Sequence, residues 1–453
     1  MNLYNWMISS GKTKKYPFLS LVSPMGGVVK NSSFIKSNEL FVPKFHSIIS
    51  GTGSLSSIYP HISSLGGNAG TGVELAGCGA DEDLELALIR SIAETAERYA
   101  TCVYNNEDVE VASFNEMLTD GILSTKIPRC SEDEYSNPKC ILRPINPDLP
   151  LRWVTGYSIT RKQNCWVPLI MSHLYVRPWS SESFWIPIST GVAAHTNFAK
   201  AAVSAICEVI ERDAIALIWL LRMNLPSLKI DEYIPLEYQE KINRLKSSCL
   251  EHHVFNATLD TGVPILYSVQ LRNDSNHAAQ FVNCSASFEP WDSYGKLIRE
   301  SAVGRTVLEH NLKIPSDIND FIELEHGAIY MGRRENRKAF NFLLSQEEEF
   351  MTPSKNISEL SSNMPIGENA QLNYLIKHFK SLDMDIVLVD LTTDDLRDAG
   401  LYVIRAIIPE LMPMSCCHSS RYLGHERLIK MKKILDKNSG YERDINFYPQ
   451  PFA

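Results

Sequence analysis

One short phrase occurs twice in this chain. It reads Ile92-Ala-Glu94-Thr-Ala-Glu97-Arg98 and then Ile206-Cys-Glu208-Val-Ile-Glu211-Arg212. Each copy sets two carboxylates three residues apart and closes on arginine. Both lie in stretches that otherwise read as apolar helix. An α-helix turns by about 100° per residue, so positions i, i+3 and i+4 share a face. Ser91, Glu94 and Arg98 therefore line up with Glu97 at the flank, and Ser204, Glu208, Glu211 and Arg212 do the same. The carboxylates and arginines keep one constant offset between the copies, whereas the serines do not. One reading is a pair of solvated faces with weak Glu–Arg pairs along each helix. The apolar flanks and the second copy favour another. Buried carboxylates are costly unless paired, and two such helices can face each other across a cation. Glu94, Glu97, Glu208 and Glu211 form an all-oxygen set suited to Mg²⁺, which keeps waters and phosphate oxygens in its shell. Arg98 and Arg212 would balance charge or fork onto phosphate. A third helix adds Glu300 and Arg305, but their spacing points them more than about 100° apart, so on spacing alone Glu300 reads as a surface residue.

The 453 residues leave room for a large core and two or three subdomains. A net charge of -9 argues against a nucleic-acid partner. Met1–Ser10 lacks a basic signal region and Phe18–Pro24 is too short for its apolar part. The apolar run Ala214–Leu221 is far below a membrane span. The ten cysteines include no C-x-x-C pair, and Cys416 and Cys417 are adjacent, which favours reduced thiols in a cytoplasm.

Along the chain, residues 1–50 read as an N-terminal extension and 51–453 as one catalytic domain. Residues 51–80 are glycine-rich, with Gly66, Gly67, Gly70, Gly72, Gly77 and Gly79 among them. A helix is predicted over Asp83–Tyr104, capped by Asp81 or Asp83. Residues 128–150 carry five prolines among charges and read as a surface insertion. Strands are predicted over Trp153–Ile159 and Cys165–Met171, then a small-residue loop Ser189–Asn197 leads to a helix over Ala199–Arg222. Further strands cover Pro264–Leu271 and Gln280–Ser287, and a helix covers Trp291–Asn311. Residues 345–370 read as polar loop. Strands Asp385–Asp390 and Leu401–Ile408 flank a polar Thr392–Asp398 segment. Without regular β-α-β alternation, the class is α+β. Several local signatures fail. Gly11-Lys12-Thr13 has Trp6 where a phosphate loop needs glycine. Gly70-Thr71-Gly72 and Gly77-Cys78-Gly79 lack the third glycine of a dinucleotide fingerprint. His252-His253 reads as a solvated helix end, with no zinc pattern around it.

Several segments, in order, resemble the YcaO family and its azoline-forming branch. Gly77-Cys78-Gly79 with Ala87–Arg98 resembles the family's glycine loop and first acidic motif. Ser189-Thr-Gly191-Val-Ala193-Ala194 with Glu208–Ala214 resembles the second acidic motif, and Glu300–Arg305 the third. Asp390-Leu-Thr392 with Gly400-Leu-Tyr-Val403 and Pro409 resembles the late strand pair, and Gly424–Leu428 the L-G-x-x-R-L segment. His326–Leu344 and Val22–Val28 resemble stretches of the azoline branch. The resemblance implies a fold of mixed sheets and helices enclosing a nucleotide site for ATP and Mg²⁺. It implies that Ser91, Glu94, Glu97, Arg98, Asn197, Glu208, Glu211, Arg212, Glu300 and Arg305 serve that site. It implies cyclodehydration of Cys, Ser or Thr in a ribosomal precursor peptide, with an E1-like leader-binding partner, a flavin dehydrogenase to oxidise azolines, and a homodimeric enzyme working without nucleic acid or membrane. Tyr448–Ala453, at the end of a proline-rich tail 446–453, resembles the branch's P-x-P-x-P ending. Pro449 and Pro451 would stiffen a terminus that delivers the Ala453 carboxylate as a catalytic group. The chain has Cys78 where the family often has lysine, Val303 for glutamine and Ala453 for proline. Thioamide or amidine formation, or a non-catalytic scaffold, remain the rival readings.

Overall fold

The computed structural model describes residues 16–23, 25–35, 45–53, 55, 59, 61, 75–309, 312–344 and 355–452. The readings of Met1–Ser10, Gly11-Lys12-Thr13, Gly66, Gly67, Gly70, Gly72, residues 345–354 and Ala453 lie outside them.

Strands β1 (Asn31–Phe34), β2 (His46–Gly51) and β3 (Ala76–Asp81) form an antiparallel sheet in that order. β2 runs across the expected boundary between residues 50 and 51. β3 corrects the glycine loop: Gly77 and Gly79 are strand residues facing helix α1 (Leu84–Ala100). A Cβ on Gly77 would overlap the Thr95 backbone nitrogen, and one on Gly79 the Ala87 carbonyl. The helix backbone can rest on the strand only because both side chains are absent. Asp83 caps α1 by accepting from the Glu85 and Leu86 N–H groups. Ala87, Leu88, Ile92, Thr95, Ala96 and Tyr99 bury one helical face.

The chain continues through β4 (Glu110–Ala112), β5 (Leu151–Ser158), β6 (Gln163–Pro168), β7 (Val192–His195), α2 (Phe198–Leu221), α3 (Leu236–Lys246), β8 (Glu251–Asn256), β9 (Ile265–Leu271), β10 (Gln280–Ala286), α4 (Pro290–Glu309), α5 (Leu324–Gly332), α6 (Glu368–Ser381), β11 (Val387–Asp390), β12 (Tyr402–Ile407) and α7 (Glu426–Ser439). Six strands form the central sheet, ordered β4-β5-β11-β12-β7 with β6 on β5, and β8-β9-β10 form a third sheet. Every strand pairing in these sheets is antiparallel, which makes the fold α+β as expected.

Alternation along β12 divides the core. Val403 and Ile407 join a cluster with Ile92, Ala96, Trp153 and Val167. Ile404 and Ala406 join another with Ile206, Ile210, Ile265 and Tyr267. The doubled phrase thus comes from helices packed into different cores on the two faces of this strand.

Four expectations are corrected locally. The second predicted strand stops at Pro168, and Leu169–Ser172 forms one helical turn. The Ser189–Asn197 loop contains β7, which pairs with β12 through His195 opposite Tyr402. His252 and His253 lie on β8, where period-two alternation exposes His253 and shields both His252 ring nitrogens. Burial pushes the His252 imidazole down to about 3. The proline-rich 128–150 insertion is anchored rather than superficial, because Cys130, Cys140 and Leu142 pack on Ala216, Leu217 and Leu220 of α2.

Candidate functional site

The four glutamates of the doubled phrase are each held by one backbone N–H. Cys78 on β3 donates to Glu94 at 3.0 Å, and Ala194 on β7 donates to Glu97 at 2.7 Å. Gly191, just before β7, donates to Glu208 at 3.0 Å, and Ala286, the last residue of β10, donates to Glu211 at 3.1 Å. β3, β7 and β10 are edge strands of the three sheets, so their unpaired N–H groups are free to meet carboxylates. Three of these carboxylates also meet cations. Arg98 lies 3.2 Å from Glu94 and Arg212 lies 3.4 Å from Glu208, both as i,i+4 pairs. Lys296 of α4 sits 3.5 Å from Glu211 and 4.0 Å from Glu300.

The two helices meet at the β7 segment, where Ala194 N–H holds Glu97 and Gly191 N–H holds Glu208. Burial, with the charges of Glu94 and Glu208, pushes Glu97 up to about 8 against the Ala194 hydrogen bond. Its carboxyl therefore senses one carboxylate from each copy. The sign of the resulting pH dependence follows from linkage. The folded chain holds a proton on Glu97 that the unfolded chain releases near 4.5, so this group costs stability as pH rises from about 4.5 to about 8. Glu97→Gln is expected to remove that slope. Thermal midpoints of metal-free wild type and variant across this range check it, and parallel profiles would count against the shift.

A cleft of about 340 Å³ opens beside Glu208 and Glu211, lined also by Arg90, Lys200, Lys296 and Arg299. Among the described residues no three His, Cys, Asp or Glu side chains form a ready-made metal cluster. The donor chemistry nevertheless fits Mg²⁺ with phosphate: oxygen ligands only, and cations for the surplus phosphate charge. Glu94, Glu208 and Glu211 are meanwhile occupied by arginine and lysine partners, which are the groups an incoming ion would release.

The structure brings together Glu94, Glu97, Arg98, Glu208, Glu211, Arg212 and Glu300. It does not bring in three other expected residues. Ser91 is fully buried and turned to β2, its hydroxyl 2.7 Å from that of Ser50 and 2.8 Å from the Leu88 carbonyl. Asn197 uses its side-chain oxygen to cap α2 by accepting from Lys200 N–H at 3.0 Å. Arg305 is fully buried and donates to the Ala278 carbonyl at 2.5 Å. Ala278 lies just before β10, and Ala286 is at the far end of that strand, about 20 Å from Gln280 at 3.3 Å per residue. Cys78, in the place of the family lysine, serves through its backbone. Burial and the nearby Glu94 and Glu300 charges push its thiol up to about 11.

Sequence reasoning missed Lys296, Arg299, Arg90 and Lys200. Only the Lys296–Glu300 i,i+4 spacing signalled any of them. It also missed the clamp behind the acidic helix. Asp213, next after Arg212, is buried against Arg427 of α7 through contacts of 2.6 and 3.0 Å, and Arg427 reaches Asp260 at 2.7 Å.

The tail is docked. Trp219 donates to the Tyr448 carbonyl at 3.1 Å, and the Asn446 amide donates to the Trp219 carbonyl at 3.0 Å. Pro449, Pro451 and Phe452 are buried, Phe452 edge-on to Tyr267. Gly327 of α5 lies directly under it, since a Cβ there would overlap the Gln450 carbonyl. Gly327→Ala gains about 1 kcal/mol of helix propensity yet must displace the tail. Limited proteolysis is expected to cut the variant faster near Arg443 and Tyr448; unchanged cutting would mean the tail shifts without release.

The family model described as "YcaO cyclodehydratase, ATP-ad Mg2+-binding" matches residues 76–412, about three quarters of the sequence. The chain belongs to the YcaO family. Solved structures share its fold. A heterocyclase in complex with substrate and cofactor superposes with a TM-score of 0.75 at 17% identity, covering 98% of this chain and 57% of that one. The heterocyclase TruD gives 0.63 at 17%, covering 82% and 51%. YcaO from Methanopyrus kandleri, bound with AMPPCP and Mg²⁺, gives 0.58 at 16%, covering 91% of each. The chain therefore spans little more than half the length of the two heterocyclases. No curated protein matches it by sequence. Among the described residues no helix is long and apolar enough to cross a membrane.

Proposed function

We propose that the chain is an ATP-dependent cyclodehydratase that converts Cys, Ser or Thr of a ribosomal precursor peptide to thiazoline or oxazoline. The observation that carries this reading is that both Glu-x-x-Glu-Arg helices reach the β7 segment, Glu97 through Ala194 N–H and Glu208 through Gly191 N–H, beside a cation-lined cleft that Glu208 and Glu211 border. Glu94, Glu97, Glu208 and Glu211 would hold Mg²⁺ directly or through water. Arg98 and Arg212, with Lys296 and Arg299, would balance phosphate charge. ATP, when bound, supplies a phosphoryl group that turns the amide oxygen into a leaving group. The carboxylates and cations would position that group.

The heterocyclase solved with substrate and cofactor supports a site for both, and the YcaO bound with AMPPCP and Mg²⁺ supports a nucleotide as the cofactor. We assign as partners the precursor peptide and an E1-like protein that captures its leader, with a flavin dehydrogenase acting on the azolines and a homodimer as the working unit. Dependence on ATP supports a cytoplasmic setting. The test combines purified protein, partner, peptide and ATP. Phosphate release with loss of one water per ring is expected. Oxygen-to-sulfur exchange would establish thioamide formation instead, and no phosphate release would leave a scaffold.

A further inference from the structure

A second, smaller cavity of about 40 Å³ lies between β12, the segment before β7 and α2. Its walls are mainly apolar, from Met171, Trp185, Ile188, Val209, Pro409 and Met412, yet two guanidiniums line it. Arg405 of β12 is only 3% exposed, and its Nε and Nη1 have no hydrogen-bond partner. Arg212 leaves its Nε unpartnered too, while its Nη2 reaches Glu208 at 3.4 Å. A buried cation with open N–H groups is costly, and this fold can avoid the cost: it satisfies the buried Arg427 with two carboxylates. Arg405 stays cationic at neutral pH, although burial pushes it down to about 10. Its charge is felt by Glu208 on one side and by the buried, neutral His173 on the other.

Both ends of this arrangement are fixed. Ala406 N–H donates to the Gly191 carbonyl at 2.7 Å, and Gly191 N–H holds Glu208, so Arg405 is tied through two hydrogen bonds to the acidic cluster. The cavity has room for a few oxygen-sized groups. Its chemistry is complementary to negative oxygen in a dry surrounding, where aimed N–H donors act most strongly.

We infer that Arg405, with Arg212 beside it, forms an oxyanion-binding subsite adjoining the carboxylate cluster. Two sources carry that chemistry in the proposed reaction, on which this inference rests: a phosphate oxygen, or the oxygen of a peptide carbonyl that gains charge as the side chain attacks. Arg405 is here a binding group, and the apolar walls hold the remainder of the bound segment away from water.

Arg405→Gln and Arg405→Lys test it through three measurements: thermal midpoint, affinity for AMPPCP with Mg²⁺, and ring formation with peptide and partner. In Arg405→Gln the midpoint is expected to hold or rise, because the N–H groups removed have no partner. Ring formation is expected to fall by roughly a hundredfold or more, with partial rescue in Arg405→Lys. A loss of AMPPCP affinity of about tenfold assigns the oxyanion to phosphate, and affinity within about threefold of wild type assigns it to the peptide. Turnover of Arg405→Gln close to wild type overturns the inference, as does a lowered midpoint, which would make Arg405 a support of the fold. Should wild type itself form no rings, the functional reading fails separately. The subsite is then judged with inorganic phosphate, which must raise the wild-type midpoint more than that of Arg405→Gln; equal responses overturn it.

Discussion

Glu208→Gln is expected to lower phosphate release by roughly a hundredfold or more while leaving the fold intact. The substitution keeps side-chain volume and an oxygen to accept from Gly191 N–H, so the loop before β7 stays anchored. What it removes is one negative charge facing Arg212 at 3.4 Å and facing Glu97 across the helix pair. On the proposed assignment a hard divalent ion would lose a ligand oxygen, and Arg212 loses the Glu208 charge it meets at 3.4 Å. Glu94→Gln makes the same change on α1, where Cys78 N–H preserves the anchoring and Arg98 is released. Wild-type phosphate release in both variants would falsify the assignment of this cluster to the metal. Mg²⁺ titrations of the two proteins add a reading independent of turnover, with weaker affinity expected in each.

Arg427→Met is the substitution expected to cost most in stability. Asp213 has a side chain 1% exposed and receives Arg427 Nε and Nη2, with Met412 N–H at 2.8 Å as its other donor. Removing the guanidinium leaves a buried carboxylate with that single backbone partner, and breaking such a pair costs about 3–5 kcal/mol. Asp260 is largely able to turn to water, so the penalty falls on Asp213. Chemical denaturation measures the loss. The double variant Asp213→Asn/Arg427→Met should regain part of it, because the stranded charge is gone. An Arg427→Met protein as stable as wild type would show that solvent reaches Asp213. Since Asp213 follows Arg212 directly on α2, the same change is expected to weaken Mg²⁺ binding at the cleft.

The helices and their acidic faces were readable because a 3.6-residue period needs only neighbouring positions. The boundaries of α2 and α4 fell within a few residues of the predicted ones for that reason. What period cannot show is what lies across from a face. Ser91 shares the helical face of Glu94 by angle, yet one turn nearer the start of α1 that face lies under β2, and the hydroxyl is used up inside. Gly77 and Gly79 carried a true signal with two meanings, a loop or a close approach, and the approaching helix lies several residues away in the chain. Arg305 followed its motif in sequence, but helix α4 turns it to the opposite end of β10 from Glu300's neighbours. The backbone donors to the four carboxylates had no sequence signal, because every residue except proline carries the same N–H group. The Lys296–Glu211 contact and the Asp213–Arg427 pair join segments far apart, which no local pattern encodes.

The anchoring of four carboxylates by N–H groups from the edges of three separate sheets has a consequence for how the chain unfolds. No single sheet holds a complete binding centre, so any ligand gripping all four carboxylates ties the three sheets to one another. Its binding energy then opposes global opening rather than the fraying of one piece. Amide hydrogens of Cys78, Gly191, Ala194 and Ala286 would slow together on loading, four distant reporters of one cooperative event.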